Sequence, residues 1–298
     1  MVATIKLKMI PHSELIINDD GSIFHLHLVP ENLAEKVILV GDPARVDTIT
    51  AGFSKIDFSV QNREFKTVTG WYNNKRITVL STGIGTDNID IVLNELDALV
   101  NIDLQTRTIK KTHQSLEIVR IGTSGGLQPD LPVNSFVVSA KSIGFDGMLN
   151  FYANREQFCD IRFEKAFAEF TNWNKSLPTF YIVDASEKLI SKFTESPFIH
   201  GVTISAPGFY GPQGRVLRLP LAEPDLNKQI EDFRFENQKI TNFEMESSAI
   251  YGLSKMLGHE ALTICLLIAN RVAHKANESY HDEMKKLIAL VLQRLTTD

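Results

Sequence analysis

The chain has 298 residues, of which 43% are hydrophobic and 9% aromatic, values that are ordinary for a globular protein with a sizeable core. Its formal net charge of -5 argues against a nucleic-acid-binding protein, which would need a clustered basic face. The longest apolar run, Ala261–Ala269, is too short to cross a bilayer, and the N-terminus lacks the apolar core of a signal peptide. Only two cysteines occur, Cys159 and Cys265, without Cys/His metal spacing. We therefore expect a cytoplasmic protein with free thiols, no bound metal and no membrane partner.

The order of predicted elements indicates an α/β protein. Residues 1–22 are interpreted as an irregular N-terminal extension, followed by one domain over residues 23–298. Strands are predicted at Lys36–Val40, Arg63–Trp71, Arg76–Ser81, Leu116–Ile121, Ser135–Ala140, Phe180–Val183, Val202–Ser205 and Leu262–Ala269. Helices are predicted from Ala44 and over Asp87–Val100, Glu156–Trp173, Ala185–Phe193, residues 221–235 and His281–Leu295. This alternation predicts a single domain with a central mixed β-sheet flanked by helices. The polar, basic stretch Asn101–Ser115 is interpreted as a loop or helix extension with solvated charges.

Two carboxylates mark the start of a predicted helix in Thr241–Leu257. Glu244 and Glu246 flank Met245, where an apolar stripe of helical spacing begins, and Gly258 follows as a C-cap. A carboxylate beside buried residues needs hydrogen-bond donors, which a sugar diol can supply. The alternative is a capped helix start with ordinary solvated acids.

Three strand-to-loop junctions are candidates for bringing a cation beside glycines. They are Gly41 to Arg45, Arg120 to Gly125 with Thr123 between them, and Arg63 in the sequence Arg63-Glu64-Phe65. Glycine backbone N–H groups can approach an anion closely, and a guanidinium matches phosphate oxygens in a fork. The spacing fits neither a P-loop nor a dinucleotide fingerprint, so free phosphate or a phosphate ester is the better candidate. Each junction alone is weak evidence, because an arginine near a glycine turn is usually a surface residue.

A second constellation suits a planar base. Phe209 can stack on a ring, Gln213 offers a donor and an acceptor, and Arg215 offers donors to a carbonyl. Together they fit an imide edge such as N3–H and O4 of uracil, although a polar surface turn would also explain them. No motif of a catalytic nucleophile is present, so any chemistry should be electrostatic and positional.

These pieces jointly resemble one family, which groups uridine phosphorylases with bacterial purine nucleoside phosphorylases and nucleosidases. The matching segments follow the family order from about residue 23 to the C-terminus: FHLHL (24–28), VGDPARV (40–46), REF (63–65), STGIG (81–85), RIGTSGG (120–126), GVTISAPGFYGPQGR (201–215), FEMESSA (243–249) and IANR (268–271). The chain looks most like a uridine phosphorylase, because Gln213 and Arg215 fall where those enzymes hold the pyrimidine. Residues 270–274 lack the acidic residue that purine members usually carry there.

The resemblance implies a role for individual residues. Phosphate would be bound by Gly41, Arg45, Arg120 and Thr123, with Arg63 reaching the site of a neighbouring subunit. Ribose would be held by Met245 and Glu246, supported by Glu244, with His25 contributed across the subunit interface. The base would be held by Phe209, Gln213 and Arg215, with Ile268 and Ala269 along its edge. Arg215, Gln213 and Arg120 would be the catalytic residues.

The implied reaction is phosphorolysis of uridine in pyrimidine salvage, with deoxyuridine and thymidine as further candidate substrates. Inorganic phosphate would be a co-substrate, no cofactor is expected, and the enzyme would be a homo-oligomer, either a dimer or a hexamer built as a trimer of dimers. The chain departs from the family pattern in its N-terminal extension, its basic insertion near 101–115 and its Pro212–Gly214 sequence. Asn88 replaces a small hydroxyl residue of a monovalent-cation site that Glu64 and Ile84 match, so this cation is not expected. A nucleosidase, a purine phosphorylase and a catalytically silent nucleoside-binding paralogue remain the alternatives.

Overall fold

The computed structural model describes residues 9–273, 275–277 and 279–297. The strands of this part are β1 Lys36–Val40, β2 Lys55–Asn62, β3 Phe65–Tyr72, β4 Lys75–Ser81, β5 Ile102–Asp103, β6 Thr108–Ile109, β7 Glu117–Gly126, β8 Phe136–Gly144, β9 Tyr181–Asp184, β10 Phe198–Ser205, β11 Arg234–Phe235, β12 Gln238–Glu244, β13 Glu260–Asn270 and β14 Lys275–Ala276. The helices are α1 Pro43–Thr50, α2 Thr86–Asn101, α3 Ile161–Thr171, α4 Glu187–Ile190, α5 Leu226–Asp232, α6 Ser247–Leu257 and α7 His281–Thr296. The predicted α/β class with a central mixed sheet is confirmed.

One large sheet organises the molecule, with the strand order β11-β12-β10-β8-β13-β7-β1-β4-β3-β2. Strand β7 runs parallel to β1 and β13, whereas β8 is antiparallel to β13. Strand β12 also pairs with β7, so that β7, β13, β8, β10 and β12 form a closed ring. Closure brings the carboxyl ends of β7, β12 and β13 close together, which is where α/β proteins commonly place ligand sites.

Burial explains why the central strands carry long apolar runs. Residues 261–267 of β13 are all buried, and helices pack on the sheet through stripes such as Leu287, Val291 and Leu295 of α7. A strand covered on both faces needs no alternation of polar and apolar residues. No helix among the described residues is long and apolar enough to span a membrane.

Several predicted element boundaries were wrong, for local reasons at some and for tertiary reasons at others. Helix α3 begins only at Ile161, since the Asp160 carboxylate accepts a hydrogen bond from the backbone N–H of Phe163 at 3.0 Å and caps it. Helix α5 begins at Leu226, after Pro224, and α4 is a single short turn within the predicted Ala185–Phe193 helix. Strand β7 continues through the predicted glycine loop to Gly126 because β12 and β13 pair with that end.

The basic insertion is a small hairpin, β5–β6, and its charges are not all solvated as predicted. Arg107 is only 7% exposed. Its guanidinium donates to the carbonyls of Ile10, at 3.2 Å, and Leu15, while its own carbonyl accepts from the N–H of Ile10. The hairpin therefore fastens the described part of the N-terminal extension, residues 9–22, onto the domain. The rest of that extension, residues 1–8, lies outside the described residues.

Candidate active site

One cavity of about 760 Å³ gathers most of the residues singled out in the sequence. Its walls come from the carboxyl ends of β1, β4, β7, β12 and β13 and from the loop after β10. Of the predicted site residues it is lined by Gly41, Arg45, Arg120, Thr123, Phe209, Gln213, Arg215, Glu244, Met245, Glu246, Ile268 and Ala269. Only His25 and Arg63 are missing from that set. Residues predicted to bind phosphate, ribose and the base therefore line the same cavity.

The predicted phosphate end contains two neighbouring guanidinium groups. Arg45, from α1, donates to the carbonyl of Ile121 at 3.4 Å and makes no ion pair among the described residues. Burial lowers the pKa of Arg45, and the positive charge of Arg120 lowers it further. An anion placed between the two arginines would relieve this repulsion, and Gly41 and Thr123 line the same cavity.

Arg120 is held by a buried pair of carboxylates. Its Nη2 donates to Glu246 Oε2, and its Nη1 lies 3.2 Å from Glu244 Oε2. Burial alone lowers the pKa of Arg120, but Glu246 and then Glu244 raise it above its usual range, so this guanidinium stays charged. We call Arg45, Arg120, Glu244 and Glu246 the charged cluster. It carries two positive and two negative groups when both carboxylates are ionised.

Glu244 fixes the start of α6. Its carboxylate accepts hydrogen bonds from the Ser205 hydroxyl at 2.5 Å, the Ser247 hydroxyl at 2.7 Å and the backbone N–H groups of Glu246 and Ser247. Such saturation suits the predicted supporting role, because few lone pairs remain for a ligand. The predicted helix start beside the two glutamates is confirmed, although Met245 precedes the helix and is not part of its stripe. The αL C-cap at Gly258 is also confirmed.

Glu246 has capacity left for a ligand. One oxygen accepts from the N–H of Gly85 at 2.9 Å, and the other binds Arg120. Gly85 has φ +100°, a left-handed conformation that only glycine adopts without strain. Burial raises the pKa of Glu246, Arg120 opposes that rise, and Glu244 adds to it. Each oxygen retains a lone pair, so two neighbouring hydroxyls could donate to this carboxylate.

Three of the predicted base residues, Phe209, Gln213 and Arg215, lie on residues 207–215, which we call the aromatic loop, whereas Ile268 and Ala269 belong to β13. The Arg215 guanidinium stacks 3.7 Å from the ring centroid of Phe209, and Nη1 donates to Gln213 Oε1 at 2.6 Å. This bond orients the Gln213 amide, which is 3% exposed. Burial lowers the pKa of Arg215. The loop can therefore present an aromatic face, an amide and a guanidinium to one planar ligand.

His25 and Arg63 lie on the surface outside the cavity of their own chain. The Asn62 amide donates to the His25 carbonyl at 2.9 Å, which joins the β2–β3 turn containing Arg63 to the segment of His25. The His25 ring contacts Glu95 Oε1 through Nδ1 at 2.5 Å. Arg63 is exposed and adopts φ +52°. Both residues were expected to act across a subunit interface.

The structure adds residues to which sequence reasoning gave no site role. Arg271 donates to the Gln213 carbonyl, and desolvation together with Arg215 lowers its pKa to about 10. Arg271 is the last residue of the IANR segment that carries the family resemblance, so the sequence pointed to this position but not to a role for it. Tyr280 lines the cavity, and the Cys265 thiol accepts from Arg120 at 3.6 Å. No spacing in the sequence links these two to the site.

A separate group of potential metal ligands, Asp97, His113 and His259, lies away from the cavity. The Leu116 N–H donates to Nδ1 of His259 at 3.2 Å, which leaves the proton of the neutral ring on Nε2, the atom 3.3 Å from Asp97. His113 Nε2 donates to the Leu257 carbonyl at 2.8 Å. A metal would need a lone pair on Nε2 of His259. We therefore interpret the group as fastening the basic insertion to α6.

Comparison with known proteins gives a consistent result. The model of the Phosphorylase superfamily matches residues 35–297. The uridine phosphorylase of Thermococcus kodakarensis is 26% identical over 271 residues, covering 89% of this chain and 83% of that protein. The uridine phosphorylase of Haemophilus influenzae is 30% identical over 260 residues, covering 84% of this chain and 87% of that protein.

Solved structures agree with the sequence comparison. One similar structure is a Trypanosoma brucei nucleoside phosphorylase that is described as showing uridine phosphorylase activity. It has a TM-score of 0.82 and 29% sequence identity, and the match covers 95% of this chain and 100% of that one. Purine nucleoside phosphorylase from Toxoplasma gondii, with a TM-score of 0.62, 20% identity and coverage of 92% and 94%, shares the fold. The family match spans nearly the whole domain and includes every residue of the cavity. This chain belongs to the Phosphorylase superfamily.

Proposed function

We propose that this protein is a pentosyltransferase that cleaves uridine with inorganic phosphate to uracil and ribose 1-phosphate. The observation that carries the proposal is the single cavity in which the charged cluster lies beside the aromatic loop. Relatives named as uridine phosphorylases match most of the chain, which supports the same reaction here. Pyrimidine salvage is the corresponding role, with deoxyuridine and thymidine as further candidate substrates.

In the proposed mechanism, Arg45, Arg120 and Thr123 hold phosphate on one side of the ribose. The hydroxyls of the sugar donate to Glu246, which Arg120 and Gly85 keep in place. Phosphate attacks C1′ while the C1′–N1 bond breaks, through an oxocarbenium-like transition state as in glycoside cleavage generally. Positive charge on the sugar is favoured beside the carboxylates of the charged cluster.

The electron pair of the broken bond moves onto uracil, the aromatic loop would stabilise that charge, and N1 then takes up a proton from solvent to give neutral uracil. Arg215 offers N–H donors to a uracil carbonyl, and the Gln213 amide oxygen, already oriented by Arg215, can accept from N3–H. Preorganised donors of this kind typically contribute about 3 kcal/mol each to transition-state stabilisation. No covalent intermediate with the protein is required. No cofactor takes part in the proposed reaction, and phosphate is the co-substrate.

We also propose that the active unit is at least a dimer, with a hexamer of three such dimers as the larger possibility. The support is that His25 and Arg63 lie outside the cavity of their own chain and close to each other on its surface. In the proposed dimer, Arg63 reaches the phosphate and His25 the ribose of the neighbouring subunit. A cytoplasmic location is proposed with it, in line with the free thiols of Cys159 and Cys265.

The reaction is tested by incubating the protein with uridine, thymidine or inosine, with and without phosphate, and by following release of the base. We expect uracil release that requires phosphate and yields ribose 1-phosphate. Undiminished release in phosphate-free buffer would identify a nucleosidase. Release from inosine alone would identify a purine phosphorylase. Nucleoside binding without turnover would identify a silent paralogue, and each of these results contradicts the proposal.

Site sharing is tested by mixing two inactive variants, Arg63→Gln and Glu246→Gln, under conditions in which subunits exchange. Each mixed dimer regains one intact site, so random reassortment should restore about a quarter of the wild-type activity. The matched control mixes Arg120→Gln with Glu246→Gln. Both of these lesions lie in the same cavity, so no mixed site is intact and activity should stay lost. Equal results for the two mixtures would contradict site sharing.

A further inference from the structure

The carbonyl of Gln213 is held by two side chains that come from different parts of the fold. Asn227, in the first turn of α5, donates from Nδ2 to this oxygen at 3.1 Å. Arg271, immediately after β13, donates to the same oxygen through Nη1. Both lone pairs of the carbonyl are thus used, and the peptide after Gln213 is fixed from two directions.

The local backbone makes the Asn227 contact specific. Gly214 has φ +70°, and a Cβ at this glycine would lie only 2.2 Å from Asn227 Nδ2. Its missing side chain therefore lets the amide approach the turn. The N–H groups of Gln213 and Arg215 both donate to the Tyr210 carbonyl, at 3.1 and 2.8 Å, which closes the turn itself. Asn227 connects this closed turn to α5.

Packing alone does not fix the position of the turn. A second cavity, of about 270 Å³, borders the turn at Pro212 and Gly214. Its other walls include Phe145, Trp173 and Leu226. A loop next to such a void lacks the close contacts that hold side chains in a packed core. Hydrogen bonds to Gln213 must then define where its amide points.

We propose that Asn227, assisted by Arg271, is a positioning residue that aims the Gln213 amide at the imide edge of the base. This inference rests on the proposed role of Gln213 in uracil recognition. Without the Asn227 bond, the turn can shift toward the cavity behind it, and the alignment between the amide and N3–H of the base is lost. Helix α5 would thereby take part in base specificity although it contributes no residue to the nucleoside cavity.

The test compares Asn227→Leu, which keeps the size but removes the donor, with Lys228→Ala on the same helix as a matched control. Lys228 is exposed and pairs with Asp232 at 2.9 Å. KM and kcat are measured with uridine and phosphate varied separately, and uridine is compared with 3-methyluridine, whose N3 cannot donate. For Asn227→Leu we expect the KM for uridine to rise about tenfold, the effect of one lost buried hydrogen bond. The preference for uridine over 3-methyluridine should fall by a similar factor, with the KM for phosphate unchanged.

The outcomes separate this inference from the proposed function. Gln213→Leu is assayed in parallel: if it leaves the preference for uridine intact, the base role of Gln213 is wrong, and the Asn227 inference is wrong with it. If Gln213→Leu loses the preference but Asn227→Leu keeps it, only the Asn227 inference is overturned. If Asn227→Leu lowers kcat and raises the KM for phosphate as much as the KM for uridine, Asn227 is merely structural. That result also overturns the Asn227 inference. Asn227→Ala, which adds no new atoms, is the second variant should the leucine disturb folding.

Discussion

The charged cluster and the aromatic loop differ in how the fold supports them. Arg120 and Glu244 sit on strands of the closed ring, and Glu246 immediately precedes α6, so each is buried with several bonded partners. The aromatic loop projects from the end of β10, and Phe209 is 51% exposed. The contacts that order this loop are those of Arg215 with Gln213 and Phe209, the backbone bonds to the Tyr210 carbonyl and the bonds to the Gln213 carbonyl.

This difference separates two tasks. Charges that must stabilise a transition state are most effective when they are preorganised in a water-poor region, which strands and a helix start provide. Recognition of one base among several depends on a few polar contacts, which a loop can change without disturbing the sheet. We therefore expect substitutions in the charged cluster to affect all substrates, and substitutions in the loop to act mainly through the nucleoside.

The largest effect is expected for Arg120→Gln. The change removes a cation that contacts both Glu244 and Glu246 and leaves two buried carboxylates unpaired. We expect kcat/KM to fall about 10³-fold with every nucleoside tested, as measured by steady-state assays of base release. The matched control is Arg162→Gln, because Arg162 forms an exposed pair with Glu236. A loss confined to one nucleoside would contradict the general role of the charged cluster.

A smaller effect is expected for Arg215→Met in the aromatic loop. The variant loses a donor to the departing base and the bond that orients Gln213. We expect kcat for uridine to fall about 100-fold, while the KM for phosphate changes little. Arg218→Met, at an exposed position of the following segment, serves as the control. If the phosphate KM rose as strongly as kcat fell, the proposed division between the two regions would be wrong.

Phe209→Leu tests the stacking surface of the loop. Stacking of a base on an aromatic ring contributes about 1–3 kcal/mol, so the KM for uridine should rise about tenfold, with kcat less affected. Tyr210→Leu is the control, since Tyr210 is a neighbouring exposed aromatic residue that does not line the cavity. Equal effects of the two substitutions on KM would argue that Phe209 has no specific contact with the base.

The last prediction concerns stability at alkaline pH, not catalysis. Burial raises the pKa of Cys265 from 9.0 to about 12, against the opposing charge of Arg120. The native protein thus keeps this proton where the unfolded chain loses it, so the free energy of unfolding should fall as pH rises from about 9 toward about 12, by at most about 1.4 kcal/mol per pH unit. Urea unfolding of Cys265→Ala should show a shallower decline than the wild type. Cys159→Ala should change the slope less, because Cys159 is only half-buried.

Much of the fold was predictable from local patterns. The apolar run of β13 and the stripe of α7 gave their elements within a few residues, because burial on two faces leaves a continuous apolar run and burial of one helix face leaves a periodic stripe. The strand β2, Lys55–Asn62, was missed because all of its residues are partly or fully exposed at the sheet edge. The burial of Arg107 was also unpredictable, since its partners are backbone carbonyls about ninety residues earlier in the chain.

The sequence by itself determined the chemical inventory: arginines beside glycines, two glutamates before a helix, and a Phe-Gln-Arg turn, each positioned by local rules of strands, caps and turns. Only the tertiary structure decided that these groups share one cavity, that Arg120 pairs with both glutamates, and that Asn227 and Arg271 hold the Gln213 carbonyl. The physical reason is that ring closure between β7 and β12 joins segments more than a hundred residues apart. Such closure depends on pairing across the whole sheet, which no local pattern records.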